Sequence, residues 1–110
     1  MSHPRPTIST HVLDTGLGRP AIGVPVRLAV ILDDGALKPV GSGLTDVDGR
    51  VGSLVDLLQP GVYRLTFELH EYRRGFFREV TLEIAVDDAS RSYHVPLLIA
   101  PFGVSSYRGS

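Results

Sequence analysis

Two histidines stand inside apolar, strand-like runs: His11 in "STHVLD" and His94 in "SYHVPLL". A single histidine in such a run is ordinarily an exposed or hydrogen-bonded surface residue. Two on matching faces shift that reading. Strand alternation puts Ile8, Thr10 and Val12 on one face and Ser9, His11 and Leu13 on the other. It likewise sets Tyr93, Val95 and Leu97 against His94, Pro96 and Leu98. The second face of each strand mixes an imidazole with small or apolar residues, so neither is a simple solvated surface. If the first and seventh strands are neighbours in one sheet, the histidines share a face. That face could be covered by another subunit, because the core takes the other side. Imidazole titrates near neutrality, so such a pair suits proton transfer to and from a positioned water.

Other polar residues carry weaker signals. Arg50 follows the turn "DVDG". It reads equally as an exposed hairpin arginine or as a planar fork of donors for a carbonyl-rich or anionic ligand. The chain ends in "SSYRGS". If Val104 faces the core, Ser105 and Tyr107 join the histidine face, and Arg108 points away unless the strand bends at Gly109. His3 lies in a Pro-rich start and reads as mobile, and His70 lies in a charged segment and reads as facing water. Asp14, Asp33, Asp34, Asp46 and Asp48 fall mostly at turns, where Asp caps backbone groups. "DVDG" resembles the start of a calcium loop but lacks the bidentate glutamate. No third strong ligand stands beside the two histidines, so no metal site is expected. Phosphate-loop, G-x-S-x-G and H-E-x-x-H motifs are missing from the sequence.

These side chains need a scaffold, and the punctuation of the chain says which kind. In 110 residues there are 12 Gly and 8 Pro, separating short runs rich in β-branched residues. This is the pattern of strands joined by turns. "VPVRLAVIL", "GVYRLTFEL" and "FFREVTLEIAV" each alternate apolar with polar residues. "KPVGSGLT" reads as a glycine-weakened strand near an edge, and "VGSLVDL" as a short strand. "DDG" and "DVDG" read as turns. Together with the histidine-bearing runs and "FGVSSYRG", about eight strands are expected, as an all-β two-sheet sandwich. At most one short helix is expected, in "ELHEYRRG" between the fifth and sixth strands, stopping at Gly75. The length fits one domain, residues 1–110, with residues 1–6 expected to be flexible. A net charge of −1 gives no basic surplus for nucleic acid. No apolar stretch approaches the ~20 residues of a membrane span. There is no Cys, and "MSHPRPTIS" has no apolar signal-type region, so a cytoplasmic protein is expected.

Taken in order, "ISTHVLDTGLGRPAIGVPVRL", "TDVDGR", "YHVPLLIAPFG" and the terminal "YRGS" resemble the signatures of the 5-hydroxyisourate hydrolase, or transthyretin-like, family. The resemblance runs from about Ile8 to Ser110. It implies a transthyretin-like sandwich assembled as a homotetramer, a dimer of dimers, with active sites in clefts where dimers meet. It implies hydrolysis of 5-hydroxyisourate to 2-oxo-4-hydroxy-4-carboxy-5-ureidoimidazoline, without cofactor. Carried over residue by residue, it implies catalytic roles for His11, Arg50, His94 and Ser110. Substrate binding would fall to Arg50, Tyr107, Arg108 and Gly109. Two departures stand out. "ELHEYRRGFF" is shorter than the family's usual segment, and "FFREV" carries Arg78 where proline is common. The competing reading from the same family is a carrier that holds a small ligand in the same inter-dimer channel. A structural sandwich module of the adhesin type is a third, weaker one.

Overall fold

The computed structural model describes residues 5–110. His3 and the first four residues of the segment expected to be flexible lie outside it. The described chain is almost entirely β. Its strands are β1 (Ile8–Asp14), β2 (Arg19–Pro20), β3 (Pro25–Ile31), β4 (Leu37–Leu44) and β5 (Arg50–Val51). Then come β6 (Gly61–Phe67), β7 (Val80–Val86), β8 (Tyr93–Ala100) and β9 (Gly103–Ser106). One sheet runs β2-β1-β8-β9 with β5 paired to β1; the other runs β4-β3-β6-β7. The fold is the expected two-sheet sandwich. Its additional strand, β2, is two residues long and lies in the stretch read as a loop.

Alternation explains the core. Along β1 burial strictly alternates, with Ile8, Thr10, Val12 and Asp14 inside. Val95, Leu97 and Ile99 of β8 lie beside them in the same sheet, and Val26 and Leu28 of β3 with Tyr63, Leu65 and Phe67 of β6 are buried on the other sheet. Burying each such side chain contributes ~1.5–3 kcal/mol. The buried polar groups are all partnered. Thr10 donates its hydroxyl to the Val95 carbonyl at 2.6 Å. Thr45 donates to the Ala21 carbonyl at 2.7 Å and accepts the Val24 N–H at 2.8 Å.

Asp14 is completely buried and does more than cap a turn. Its carboxylate accepts the Leu17 N–H at 3.0 Å and the Tyr72 hydroxyl at 2.9 Å, and pairs with Arg73 at 3.1 Å. Burial first, then the hydrogen bond to Asp14, raises the Tyr72 pKa and keeps the phenol a donor. This network anchors the segment after β6. There the expected helix is a single 3₁₀ turn, Leu69–Glu71, ending well before Gly75. A piece this short has no stability of its own, so Asp14 holds what local propensity cannot.

Two strand expectations need correction. "VGSLVDL" is extended only at Arg50–Val51. Beyond that, Leu54, Val55 and Leu58 turn inward as a plug on the core. The strand expected at "FFREVTLEIAV" begins only at Val80, leaving Phe76 and Phe77 outside it. Strand β4 does lie at a sheet edge, as its glycines suggest. Gly41 has a specific reason to be there. A Cβ at this position would sit 1.5 Å from the Leu54 carbonyl oxygen. No helix among the described residues is long and apolar enough to cross a membrane.

Gly41→Ala should therefore force β4 and the Leu54 segment apart. Overpacking ordinarily costs 1–3 kcal/mol, and a backbone clash belongs at or above the top of that range. Urea unfolding should show a lowered midpoint with an unchanged slope. An unchanged midpoint would mean that the Leu54 segment yields freely.

Candidate active site

The site follows from one strand pair. Strands β1 and β8 run parallel, with Ser9 opposite His94, His11 opposite Pro96 and Leu13 opposite Leu98. Their core residues face inward together, so Ser9, His11, His94, Pro96 and Leu98 share the outer face. Strand β5 adds to the other edge of β1 and sets Arg50 directly across from His11. Opposed residues in such a pair have Cβ atoms ~4.5–5.5 Å apart. His11, His94 and Arg50 therefore converge on one patch of one sheet. The two imidazoles are half-buried and Arg50 is exposed.

A tight turn holds Arg50 in place. The Asp46 carboxylate accepts the N–H groups of Asp48 and Arg50, each at 2.9 Å. Gly49 closes the turn at φ 77°, a conformation that favours glycine. A Cβ there would also meet the Val12 carbonyl at 2.4 Å. The Gly49 carbonyl in turn accepts the Val12 N–H at 2.7 Å, locking the turn to β1. The hydrogen bond from the Arg50 backbone, foremost, holds the Asp46 carboxyl below its ordinary pKa. "DVDG" is thus the mount for the guanidinium. Among the described residues, no three or more His, Asp or Glu gather as a metal site.

His94 is gripped more tightly than His11. Its Nδ1 lies 2.8 Å from the Ser9 hydroxyl. That leaves Nε2 as the nitrogen free for a ligand. Burial, then electrostatic repulsion from the nearby His11 and Arg50, lowers the His94 pKa below the ordinary 6.5.

The C-terminal tail extends β9 along β8. Ser106 pairs with Leu97, and a bridge between His94 and Gly109 keeps the same register. The Gly109 N–H donates to the His94 carbonyl at 2.8 Å. This register sets Tyr107 beside Pro96 on the histidine face, where it is exposed. Arg108 falls on the opposite face. Its guanidinium lies over the Tyr93 ring at 4.8 Å, at the rim of the core. No bend at Gly109 brings it round onto the histidine face, and it reaches the groove beside His94 from the Tyr93 side. Ser110 is exposed, one residue past the bridge. A groove of about 370 Å³ between the β7 edge and the tail is lined by Tyr93, His94, Tyr107 and Arg108. Another, of about 480 Å³, lies on the outer face of the second sheet and contains none of the site residues.

Two contributors escaped the sequence reading of candidate residues: Ser9 and Asp46. Ser9 left no local signal, because its partner is 85 residues away. Asp46 was visible as a turn former, and its hold on Arg50 is what the turn is for.

The model of the HIUase/Transthyretin family matches residues 8–109. The "Uric acid degradation bifunctional protein TTL" of Arabidopsis thaliana is 43% identical over 96% of this chain, which spans only 38% of that protein. A 5-hydroxyisourate hydrolase of Deinococcus radiodurans is 41% identical, covering 96% of this chain and 97% of its own. The solved 5-hydroxyisourate hydrolase of Klebsiella pneumoniae superposes with a TM-score of 0.81 at 34% identity, covering 94% of this chain and 99% of that one. Sea bream transthyretin, solved in complex with thyroxine, superposes at 0.86 over 93% of each chain, and at 24% identity it speaks for the fold alone. With a family model spanning nearly its whole length and relatives above 40% identity, the chain belongs to the HIUase/Transthyretin family.

Proposed function

We propose that the chain hydrolyses 5-hydroxyisourate to 2-oxo-4-hydroxy-4-carboxy-5-ureidoimidazoline. The observation that carries this reading is the register of β1, β5 and β8, which gathers His11, Arg50 and His94 on one face. A carrier of apolar ligands has no use for two imidazoles and a guanidinium at one spot.

The reaction adds water to a ring carbonyl and breaks a carbon–nitrogen bond. It needs a proton acceptor for the water and donors for the oxygen that gains charge. His94 suits the acceptor. Its lowered pKa keeps it neutral at physiological pH. With Nδ1–H donating to Ser9, Nε2 presents a lone pair outward. The water proton passes to Nε2 as its oxygen attacks the carbonyl carbon. Arg50, with a charge that survives any physiological pH, stabilises the resulting oxyanion. Collapse of that intermediate expels the ring nitrogen, which takes a proton from the imidazolium. His11, directly across from Arg50, orients the water or the substrate edge. Tyr107 and Ser110 supply further hydrogen bonds from the tail. Hydrolysis transfers no electrons and requires no redox cofactor.

Among the described residues, the histidine face has a core behind it and no strand or helix over it. We assign its cover to other copies of the chain, in a homotetramer built as a dimer of dimers.

Fresh 5-hydroxyisourate should lose its ultraviolet absorbance faster in the presence of this protein, and the lack of any acceleration would favour the carrier. A general base is worth ~10²–10⁴-fold and misplacement of a reactant can cost ~10²-fold, so His94→Ala and His11→Ala should each lose at least about 10²-fold in turnover. Near-wild-type rates in both would sink the assignment.

The pH profile tests His94 separately. A depressed pKa extends the neutral form to lower pH, so kcat/KM should hold as pH falls through 6.5 and decline only below it. An acid limb centred above 6.5 would count against His94 as the base.

Light scattering at micromolar concentration should report four copies. A monomer would remove the inter-dimer cleft from the reading.

A further inference from the structure

We propose that Ser9 and Gly109 are positioning residues that hold the His94 imidazole from its two sides. The inference rests on the reading of His94 as the proton-transfer group. It gives the tail a role that substrate contact alone does not cover.

The strand order places His94 between two neighbours. On the β1 side, Ser9 is its register partner and meets Nδ1 with a hydroxyl at 2.8 Å. On the tail side, Gly109 is its bridge partner. The close approach there is unusual. A Cβ on Gly109 would lie 2.6 Å from His94 Cδ2, 3.3 Å from Cγ and 3.3 Å from Pro96 Cγ. The imidazole therefore lies directly on the Gly109 backbone. Gly109 is not among the glycines with positive φ, so its conformation is open to any residue. Space, rather than backbone freedom, is what requires glycine here.

The two contacts divide the work. A hydroxyl can donate or accept, so Ser9 fixes the ring's rotation and can serve either tautomer. When Nε2 acts as base, Nδ1 must carry the proton, and Ser9 Oγ is placed to accept it. Gly109 limits tilt by occupying the space beneath Cδ2. The tail is itself fastened at this point and at the residue before it. Its N–H bonds the His94 carbonyl at 2.8 Å, and Arg108 stacks on Tyr93. A fastened tail makes a firm floor. Catalysis by a misplaced base is poor, since a displacement of ~1 Å can cost ~10²-fold in rate.

The test pairs turnover with ¹H–¹⁵N spectra of the His94 ring in Ser9→Ala, Ser9→Thr and Gly109→Ala. Removing the outer hydrogen-bond partner of a metal-bound histidine typically costs about 10–100-fold, and a base held by one such partner is expected to lose on the same scale. Ser9→Ala and Gly109→Ala should each lose kcat on that scale with KM within about threefold of wild type. Ser9→Ala should move the Nδ1 and Nε2 shifts toward a tautomer mixture, and Ser9→Thr should restore both the shifts and the rate. Gly109→Ala should displace the Cδ2 proton resonance. If the His94 resonances of Ser9→Ala and Gly109→Ala match wild type, the proposal is wrong. A Gly109→Ala loss confined to KM would likewise return the tail to substrate contact alone. Should Gly109→Ala fail to fold, the Ser9 pair decides through the same spectra. A wild-type protein that leaves 5-hydroxyisourate decay unchanged would remove the hydrolase reading, while the spectra would still decide whether Ser9 and Gly109 hold the ring.

Discussion

The parallel pairing of β1 with β8 is the constraint on which the site depends. Seven register pairs, from Ile8 with Tyr93 to Asp14 with Ile99, join two segments from opposite ends of the chain. Parallel strands cannot be joined by a tight hairpin, so everything between them has to fold around this pairing. The pairing is specified by burial. Slipping it by one residue would send Ile8, Thr10 and Val12 outward and His11 into the core. The same apolar alternation that builds the core therefore brings the imidazoles to one face. Strand β5 then needs only two residues to add Arg50, because its turn is already locked to Val12.

Charge on this face explains a further property. Arg50 is cationic at any physiological pH, and the balancing carboxylate, Asp46, lies behind it in the turn. His94 is partly buried and lies near His11 and Arg50, and all three effects disfavour its protonation. A face that would attract a carbonyl-rich, electron-rich substrate is thus also a face that keeps one imidazole neutral. Binding and base catalysis are not separate demands here. In the proposed mechanism the arginine that would hold the developing oxyanion also adds, after burial, to keeping the base neutral.

What was legible in the sequence followed from period-two alternation and from turns. His11 and His94 were conspicuous because they interrupt a solvated or apolar face. The two-sheet sandwich followed from short alternating runs, and Arg50 from its place after Asp-Gly. The less legible features are non-local. Ser9 is an ordinary strand serine until His94 is beside it. The segment after β6 looked helical because its composition permits a helix, yet its shape is set by a buried carboxylate far earlier in the chain. "VGSLVDL" reads as a strand by composition, and becomes a plug because Leu54 backs directly onto Gly41. The face that each residue of the terminal motif takes is likewise set by pairing with β8, which the motif itself does not show.

That last point bears on how a short terminal motif works. Successive residues of an extended chain point to opposite faces. Here Tyr107 faces the histidines, Arg108 grips Tyr93 at the core rim, and Gly109 lies beneath the His94 ring. Three adjacent residues serve two faces by turns, and the order cannot be permuted. An arginine at the glycine position would clash with the imidazole, and a glycine at the arginine position would release the tail from Tyr93. Inserting one residue before Tyr107 would exchange the two faces and undo both contacts together. The sandwich alone admits a carrier as readily as a hydrolase, as its likeness to transthyretin shows. What favours catalysis is the set of side chains that β1, β5, β8 and the tail bring to one face, and the short tail keeps one of them in place.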